Sequence, residues 1–238
     1  MERSTTNKDV NNYEVLAKYY DELLQDEQAY DYWLRYIEEE CFNDVLELAS
    51  GSAVLTKILS KKGYNITASD ISKEMKEAAK VNFDGEYLIL NMTDYHLDKK
   101  YDLILCCCDS INYLELDELD NFINCAYNHL KDNGRLIFDM HSMQRINEFK
   151  DEYIEEGQVC GVNYQWTIMS DDIDNLINEH FTFFTDDGMI SEHHTQHVFE
   201  IEDVRNKMIN SFDTRIIEDF IEDEKVLVIG KKKHEKVV

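Results

Sequence analysis

The 238-residue sequence contains no proline, although average usage of about 5% would give roughly twelve. It has only eight glycines, which is about half the usual share. These two residues are the common markers of turns, so their scarcity removes a signal without excluding the turns themselves. Turn predictions for this chain therefore depend on asparagine, aspartate and serine.

Positive charge is also scarce, with 24 lysines and arginines against 50 aspartates and glutamates and a formal net charge of −26. An acidic surface repels the phosphates of nucleic acids and of anionic lipids, so we predict no nucleic-acid partner and no membrane adhesion. Much of the acidic excess serves solubility. The charge fits a neutral or cationic small-molecule partner without choosing one.

Long hydrophobic runs are missing as well. No run approaches the roughly 18 apolar residues of a membrane span, and the polar start of the sequence lacks the apolar stretch of a signal peptide. Three of the six cysteines stand together at 106–108. Neighbouring strand residues point to opposite faces, so these thiols cannot converge on a metal. We therefore predict a cytoplasmic protein with reduced thiols and no metal site, either a monomer or a homodimer.

What the sequence does contain is an alternation of strand and helix patterns. After two amphipathic helices over 13–24 and 29–42, the pattern predicts five short apolar strands separated by helices. Near-continuous apolar strands are typical of a parallel sheet that is buried on both faces. The fold class is therefore α/β, with a doubly wound, mostly parallel, Rossmann-like sheet. The strands are 44–49, 64–70, 86–91, 101–108 and 134–140, and the helices between them are 52–62, 72–82 and 117–131.

The alternation of strands and helices ends at about residue 150. In four segments between 152 and 201, apolar and polar residues alternate. This pattern predicts an antiparallel sheet with one face exposed to solvent. A helix over 201–210 and two closing strands then complete a seven-stranded main sheet. We therefore predict an α/β domain made of residues 1–145 and 201–238, with a β-rich lid inserted at 146–200.

Polar or small residues follow four consecutive predicted strands. In "DVLELASGSAVLTKIL" (44–59) an apolar strand runs into a small-residue loop and a helix, and Asp70 ends the next strand. In open α/β sheets ligands bind at the carboxyl ends of the strands, near helix N-termini. Each piece alone also fits an ordinary strand–turn–helix connection, and Asp70 alone fits a helix start. Their order and spacing together favour a nucleotide-like ligand.

The chain resembles the class I S-adenosylmethionine-dependent methyltransferases over residues 13–142. The segments that carry the resemblance are "ELASGSA", "YNITASDIS", "LNMTDYHL", "YDLILCCCDSINYL" and "GRLIFDMHS". The likeness is greatest to a bacterial subgroup that acts on small molecules. It implies transfer of a methyl group from S-adenosylmethionine to a nitrogen or oxygen nucleophile, by in-line displacement.

The resemblance also implies a set of cofactor-binding residues. Glu47 would hold the methionine amino group, and Asp70 the ribose hydroxyls. The set that it implies is Tyr20, Glu47, Ala49, Gly51, Asp70, Ile71, Asn91, Met92 and Cys108. Alanine replaces the family's glycine at positions 49 and 53. We expect Ala49 to be harmless, because the end of a strand needs no positive φ, and Ala53 to crowd the loop.

The catalytic candidates lie beyond the strand ends and near the transfer axis. They are Tyr20, Asp109, Asn112 and His141. His141 is a possible general base near neutral pH, while Asp109 and Asn112 equally fit turn chemistry before a helix. Tyr164, Trp166 and His193 of the insertion are candidates for binding the substrate, although the two aromatic residues also fit a small core.

Two other functions remain open at this stage. The chain could be a non-catalytic protein that binds S-adenosylmethionine or S-adenosylhomocysteine, or an interaction protein on the same fold. A nicotinamide-dependent oxidoreductase would share the loop and Asp70, but it expects G-x-G-x-x-G. Only Gly51 fits that pattern, since positions 49 and 54 are alanine and valine.

Overall fold

The computed structural model describes residues 7–10, 13–24, 29–221 and 223–234. Twelve strands and seven α-helices are assigned in this part of the chain. The strands are β1 (Asn7–Val10), β2 (Asp44–Glu47), β3 (Asn65–Asp70), β4 (Tyr87–Ile89), β5 (Tyr101–Cys106), β6 (Leu130–His141), β7 (Tyr153–Val159), β8 (Val162–Asp171), β9 (Leu176–Thr185), β10 (Gly188–His197), β11 (Phe212–Ile221) and β12 (Lys225–Lys232). The helices are α1 (Tyr20–Leu24), α2 (Tyr30–Ile37), α3 (Val54–Lys61), α4 (Lys73–Ala79), α5 (Glu118–His129), α6 (Gln144–Glu148) and α7 (Ile201–Met208).

The main sheet has seven strands in the order β11-β12-β6-β5-β2-β3-β4. Strands β2 to β6 pair in parallel, and β12 joins β6 and β11 in antiparallel pairing. The order reverses between β2 and β5, which places a ligand crevice at that point of the sheet. The predicted α/β fold class with a mostly parallel, Rossmann-like sheet is confirmed.

Both faces of this sheet are buried, as the near-continuous apolar strands predict. In β5, Ile104 and Cys106 belong to one hydrophobic cluster, and Leu103 and Leu105 belong to the other. Cys107 also packs on the second side, so neighbouring thiols do point to opposite faces. Among the described residues, no group of three or more histidine, cysteine, aspartate or glutamate side chains is placed to hold a metal ion.

The second sheet has five strands in the order β1-β10-β9-β8-β7. Four of them are the predicted antiparallel strands of the insertion. The fifth, β1, comes from the start of the chain and pairs in parallel with residues 189–192 of β10. The sheet therefore extends beyond the predicted boundaries of 146–200, because its edge strand lies outside them. Its inner face packs around Tyr164, Phe181 and Phe183.

The first predicted helix differs most from the structure. Residues 13–24 form a short 3₁₀ turn over Leu16–Lys18 and the five-residue helix α1. Tyr13 has a φ of 63°, which interrupts a helix. The backbone N–H groups of Tyr13, Val15 and Leu16 donate to the Glu192 carboxylate instead of to an earlier turn. Among the helices that the structure describes, none combines the length and the apolar character that a bilayer crossing requires.

Candidate active site

The loop after β2 is built from three residues in the left-handed region. The φ angles of Ala49, Gly51 and Ala53 are 50°, 52° and 64°. The expectation that Ala49 needs no positive φ is therefore wrong. An L-residue costs roughly 1–2 kcal/mol in this region, so both alanines are strained where the family has glycine. The loop keeps its shape because Ser50 donates its N–H to the Ser69 carbonyl at 2.8 Å.

Asp70 closes this loop from the end of β3. One oxygen of its carboxylate accepts the Gly51 N–H at 3.0 Å, and the other accepts the Ser72 N–H at 2.9 Å. Burial raises the pKa of Asp70, and the two N–H groups oppose that shift. Ser72 caps α4, since its side chain accepts the Met75 N–H at 3.1 Å. The carboxylate thus faces the crevice at the N-termini of two helices.

A cavity of about 600 Å³, here called the outer cavity, lies at these strand ends. The predicted cofactor residues that line it are Tyr20, Ala49, Gly51, Asp70, Ile71, Met92 and Cys108. Ile71 is 67% exposed, which is high for a large apolar side chain beside a cavity. Such a surface is suited to an aromatic ring of a ligand.

Two predicted cofactor residues do not line this cavity. The Glu47 carboxylate is buried, where it accepts a hydrogen bond from the Thr56 hydroxyl at 2.5 Å. Burial raises the pKa of Glu47 to about 8, because its charged form loses solvation. The Asn91 side chain accepts hydrogen bonds from the backbone and hydroxyl of Thr93, both at 2.9 Å. Neither side chain has the free position that the resemblance implies.

A second cavity of about 270 Å³, here called the inner cavity, lies between α1, the end of β6 and the inner face of the second sheet. Four residues line both cavities: Tyr13, Tyr20, Cys108 and Tyr113. Tyr20 lies close to the loop, because its Cε1 would be 3.9 Å from a Cβ atom at Gly51. The two cavities therefore meet at these four residues.

A buried ion cluster forms one wall of the inner cavity. One oxygen of Asp109 pairs with Lys225 Nζ at 2.5 Å, and the other lies 3.2 Å from His141 Nε2. Burial opposes ionisation of Asp109, yet Lys225 and His141 hold its pKa well below its usual value. Asp139 anchors the same wall, since it accepts the N–H groups of Cys108 and Asp109 at 2.7 and 2.9 Å. Asp109 and His141, two predicted catalytic residues, are thus brought together.

Two predicted site residues are structural instead. Asn112 is fully buried; its amide donates to the His197 carbonyl at 2.6 Å and accepts the His141 N–H at 3.0 Å. Its amide nitrogen and oxygen each bond a backbone group, and the side chain is buried away from both cavities. Tyr164 packs in the core of the second sheet and donates its hydroxyl to Glu155 at 2.5 Å. Neither side chain lines either cavity, so both expectations are corrected.

Trp166 and His193 line different cavities. Trp166 lines the inner cavity and stacks on Phe181, with ring centroids 5.1 Å apart. His193 lines the outer cavity together with predicted cofactor residues, and it does not line the inner cavity. Alternation along β10 explains the split, because His193 and Thr195 point one way and His194 and Gln196 the other.

The structure adds residues that sequence reasoning missed. Alternation in β10 places His194 on the inner face, so that signal was available. Tyr13, Tyr113 and Glu179 line the inner cavity only because the second sheet folds over the first. Lys225 reaches Asp109 because β12 pairs antiparallel with β6, which sets Lys225 opposite His141. The sequence has no local signal for such a long-range pairing.

Comparison with known proteins places this site in a family. The profile of a methyltransferase domain family matches residues 45–134. YqeM of Bacillus subtilis (strain 168), named as a methyltransferase, is 29% identical over 83% of this chain and 85% of its own length. An S-adenosylmethionine-dependent methyltransferase from Clostridium acetobutylicum ATCC 824 is 25% identical, with a TM-score of 0.77, over 93% of this chain and 99% of that chain. The sugar N-methyltransferase KedS8 from Streptoalloteichus sp. ATCC 53650 shares the fold at 18% identity, with a TM-score of 0.84, over 98% of this chain and 99% of that chain.

These findings decide between the three functions that the sequence left open. The matched family is described as a methyltransferase domain and the relatives are named as methyltransferases, which supports neither a nicotinamide-dependent oxidoreductase nor a protein without catalytic activity. Solved relatives of the same fold carry S-adenosylmethionine. In its matched domain, its relatives and its fold the chain resembles the class I S-adenosylmethionine-dependent methyltransferases, and these findings support an enzyme that uses S-adenosylmethionine.

Proposed function

We propose that the enzyme methylates an amine nitrogen of a small molecule held in the inner cavity, while the cofactor occupies the outer cavity. The observation that carries this proposal is the Glu179 carboxylate. It lines the inner cavity and, within the described part of the chain, accepts no hydrogen bond and forms no ion pair. Burial and the nearby Asp109 raise its pKa. A cationic acceptor would supply the missing partner.

The other walls of the inner cavity support a cationic acceptor. The stacked rings of Trp166 and Phe181 and the ring of Tyr20 provide aromatic surface, and aromatic faces attract cations. Among the described residues, buried Trp166 Nε1 and His141 Nδ1 have no hydrogen-bond partner. Trp166 Nε1 is a donor, so it would bind an oxygen of the acceptor. The acceptor is therefore an amine that also carries a polar oxygen.

The outer cavity fits S-adenosylmethionine. The Asp70 carboxylate matches a ribose diol, and the exposed Ile71 and Met92 offer apolar surface to an adenine ring. When bound, the cofactor supplies a methyl group that is already activated on a positive sulfur. The residues of this chain align the acceptor nitrogen with that methyl group where the cavities meet, at Tyr13, Tyr20, Cys108 and Tyr113.

The fold neighbour KedS8 is named as a sugar N-methyltransferase, which is the same type of reaction. The resemblance alone allowed a nitrogen or an oxygen acceptor. Glu179 favours nitrogen, because an alcohol carries no positive charge for a half-buried carboxylate to bind.

The test compares trans-4-aminocyclohexanol with cyclohexane-1,4-diol as acceptors of a radiolabelled methyl group, so that both probes carry an oxygen for Trp166 Nε1 and only one carries an amine. We expect turnover of the amine alone. Glu179→Gln should raise KM for the amine by about tenfold to a hundredfold, because a charge-assisted contact is lost. Glu156→Gln, at an exposed position of β7, is the matched control and should leave KM unchanged. Equal turnover of the alcohol, or an unchanged KM in Glu179→Gln, would contradict an amine acceptor.

A further inference from the structure

We propose that Tyr13, Tyr113 and His194 form a proton relay that carries away the proton of the acceptor amine, with Glu192 stabilising the charged end. The inference rests on the proposed amine acceptor. It concerns four residues outside the predicted site, three of which line the inner cavity.

A continuous line of hydrogen bonds connects the four side chains. The hydroxyl oxygens of Tyr13 and Tyr113 are 2.7 Å apart, and Tyr113 Oη is 2.9 Å from His194 Nδ1. His194 Nε2 is 2.8 Å from a carboxylate oxygen of Glu192. His194 is 1% exposed and Glu192 is fully buried, so water does not compete for these bonds.

The environment of Glu192 fixes the direction of every bond in this line. Its carboxylate accepts the backbone N–H groups of Tyr13, Val15 and Leu16, so it acts only as an acceptor. Burial opposes its ionisation, but the bonds from His194 and the backbone hold its pKa below the usual value. His194 must therefore carry its hydrogen on Nε2, which leaves Nδ1 to accept from Tyr113.

It follows that Tyr113 donates to His194 and Tyr13 donates to Tyr113. Burial raises the pKa of both phenols well above its usual value, so both hydroxyls keep their protons at neutral pH. The Tyr13 oxygen then has lone pairs left for a further donor. Tyr13 lies where the two cavities meet, which is where the acceptor nitrogen must stand to reach the methyl group.

The proton balance of the reaction follows from this order. An ammonium N–H of the acceptor gives its proton to Tyr13 Oη, the Tyr13 proton moves to Tyr113 Oη, and the Tyr113 proton moves to His194 Nδ1. The nitrogen lone pair that is freed then forms the N–C bond while the S–C bond breaks, and the sulfur keeps the electron pair of that bond. His194 is left as an imidazolium paired with the Glu192 carboxylate, and it returns its proton to solvent after product release.

Several charged or titratable groups surround the His194 imidazole and interact with it electrostatically. Glu192 lies on its own strand, and Glu179 lies opposite it in the register of β9 and β10. Tyr113 comes from the turn before α5, and the ring of Tyr13 packs on the imidazole at 4.7 Å. Asp109 receives a hydrogen bond from Gln196 of the same strand. The Glu192 carboxylate, 2.8 Å from His194 Nε2, is placed to pair with the imidazolium once the proton has arrived.

The first measurement needs no acceptor. Ring nitrogen-15 NMR of the protein with S-adenosylhomocysteine should show His194 neutral and protonated at Nε2 near pH 7.5. Tyr113→Phe should shift the Nδ1 resonance, because its hydrogen bond is removed. A hydrogen on Nδ1 would overturn the relay, whatever the acceptor proves to be. The relay and the amine proposal can therefore fail separately.

The second measurement is the pH dependence of kcat/KM with trans-4-aminocyclohexanol as the probe. Histidine changes charge between about pH 5 and 8, so the wild type should show a limb that rises over this range. His194→Asn keeps an acceptor for Tyr113 but cannot take a proton. It should lose that limb and about 10²-fold in kcat, with cofactor affinity unchanged. His96→Asn, an exposed histidine remote from both cavities, should match the wild type. A rising limb that persists in His194→Asn would overturn the relay.

Discussion

At the scale of single residues, the cofactor loop departs most from its family. Ala49, Gly51 and Ala53 all adopt positive φ, but only one of them is glycine. Alanine at such a position costs more than glycine, because its Cβ meets the backbone. The protein therefore keeps the shape of a glycine loop at the expense of stability, in a chain that has few glycines anywhere.

Replacing Ala53 by glycine should stabilise the protein. Ala53 has a φ of 64°, where glycine is less strained than alanine. We therefore expect Ala53→Gly to raise the free energy of unfolding by about 1 kcal/mol, as measured by urea denaturation. The control is Ala78→Gly inside α4, which should lose about 1 kcal/mol because glycine weakens a helix interior. Equal losses in the two variants would show that the loop is not strained.

The sequence predicted site residues that lie within one strand-to-helix connection. It did not predict residues that are brought together by pairing between strands distant in the sequence. Gly51 and Asp70 were predicted to share a crevice because strand ends carry ligands in this fold class, and both line the outer cavity. The backbone of Ala49 was predicted wrongly, because a strand end alone does not reveal that the chain turns back immediately. Glu179 and Lys225 were not found, because each faces its cavity through a strand register that no short motif encodes.

At the scale of elements, the unusual connection is between the N-terminal segment and β10. The Glu192 carboxylate accepts three main-chain N–H groups of residues 13–16, so one side chain replaces the bonds of a helical turn. The segment that it holds contributes Tyr13 and Tyr20 to the junction of the cavities. β1 was missed because three polar residues followed by one valine give no alternating strand signal, and its partner is about 180 residues away.

Removing this carboxylate should release the N-terminal segment. Glu192→Ala leaves the N–H groups of Val15 and Leu16 buried without a partner, and each such loss costs about 1–3 kcal/mol. Hydrogen exchange should therefore become faster in peptides covering 13–24, while α5 stays protected. Glu156→Ala on exposed β7 is the control. Unchanged exchange at 13–24 would mean that other contacts hold the segment.

At the scale of the whole molecule, two sheets close over one another and leave two adjoining cavities. The predicted insertion contributes Trp166, Glu179 and Phe181 to the inner cavity, and His193 and Thr195 to the outer one. Both sheets were expected from the sequence. Their mutual closure was not, because it depends on packing between segments that the chain order keeps apart.

The lid prediction for the insertion belongs to this scale. A lid that orders over bound cofactor should exchange more slowly in 160–200 on addition of S-adenosylhomocysteine, with Tyr164, Trp166 and His193 in the protected peptides. β7, an edge strand that borders neither cavity, should respond least. Protection that is present without ligand and increases with protein concentration would instead identify a subunit interface.

The two faces of β10 have a consequence for how this enzyme can evolve. His193 and Thr195 face the cofactor side, while His194 and Gln196 face the acceptor side. An insertion or deletion of one residue in this strand would exchange the two sets, because side chains alternate with a period of two. A new acceptor can therefore arise by substitution within the strand, but not by a change in its length. We expect changes in length to be tolerated at the hairpin turns 172–175 and 186–187, whose residues line neither cavity.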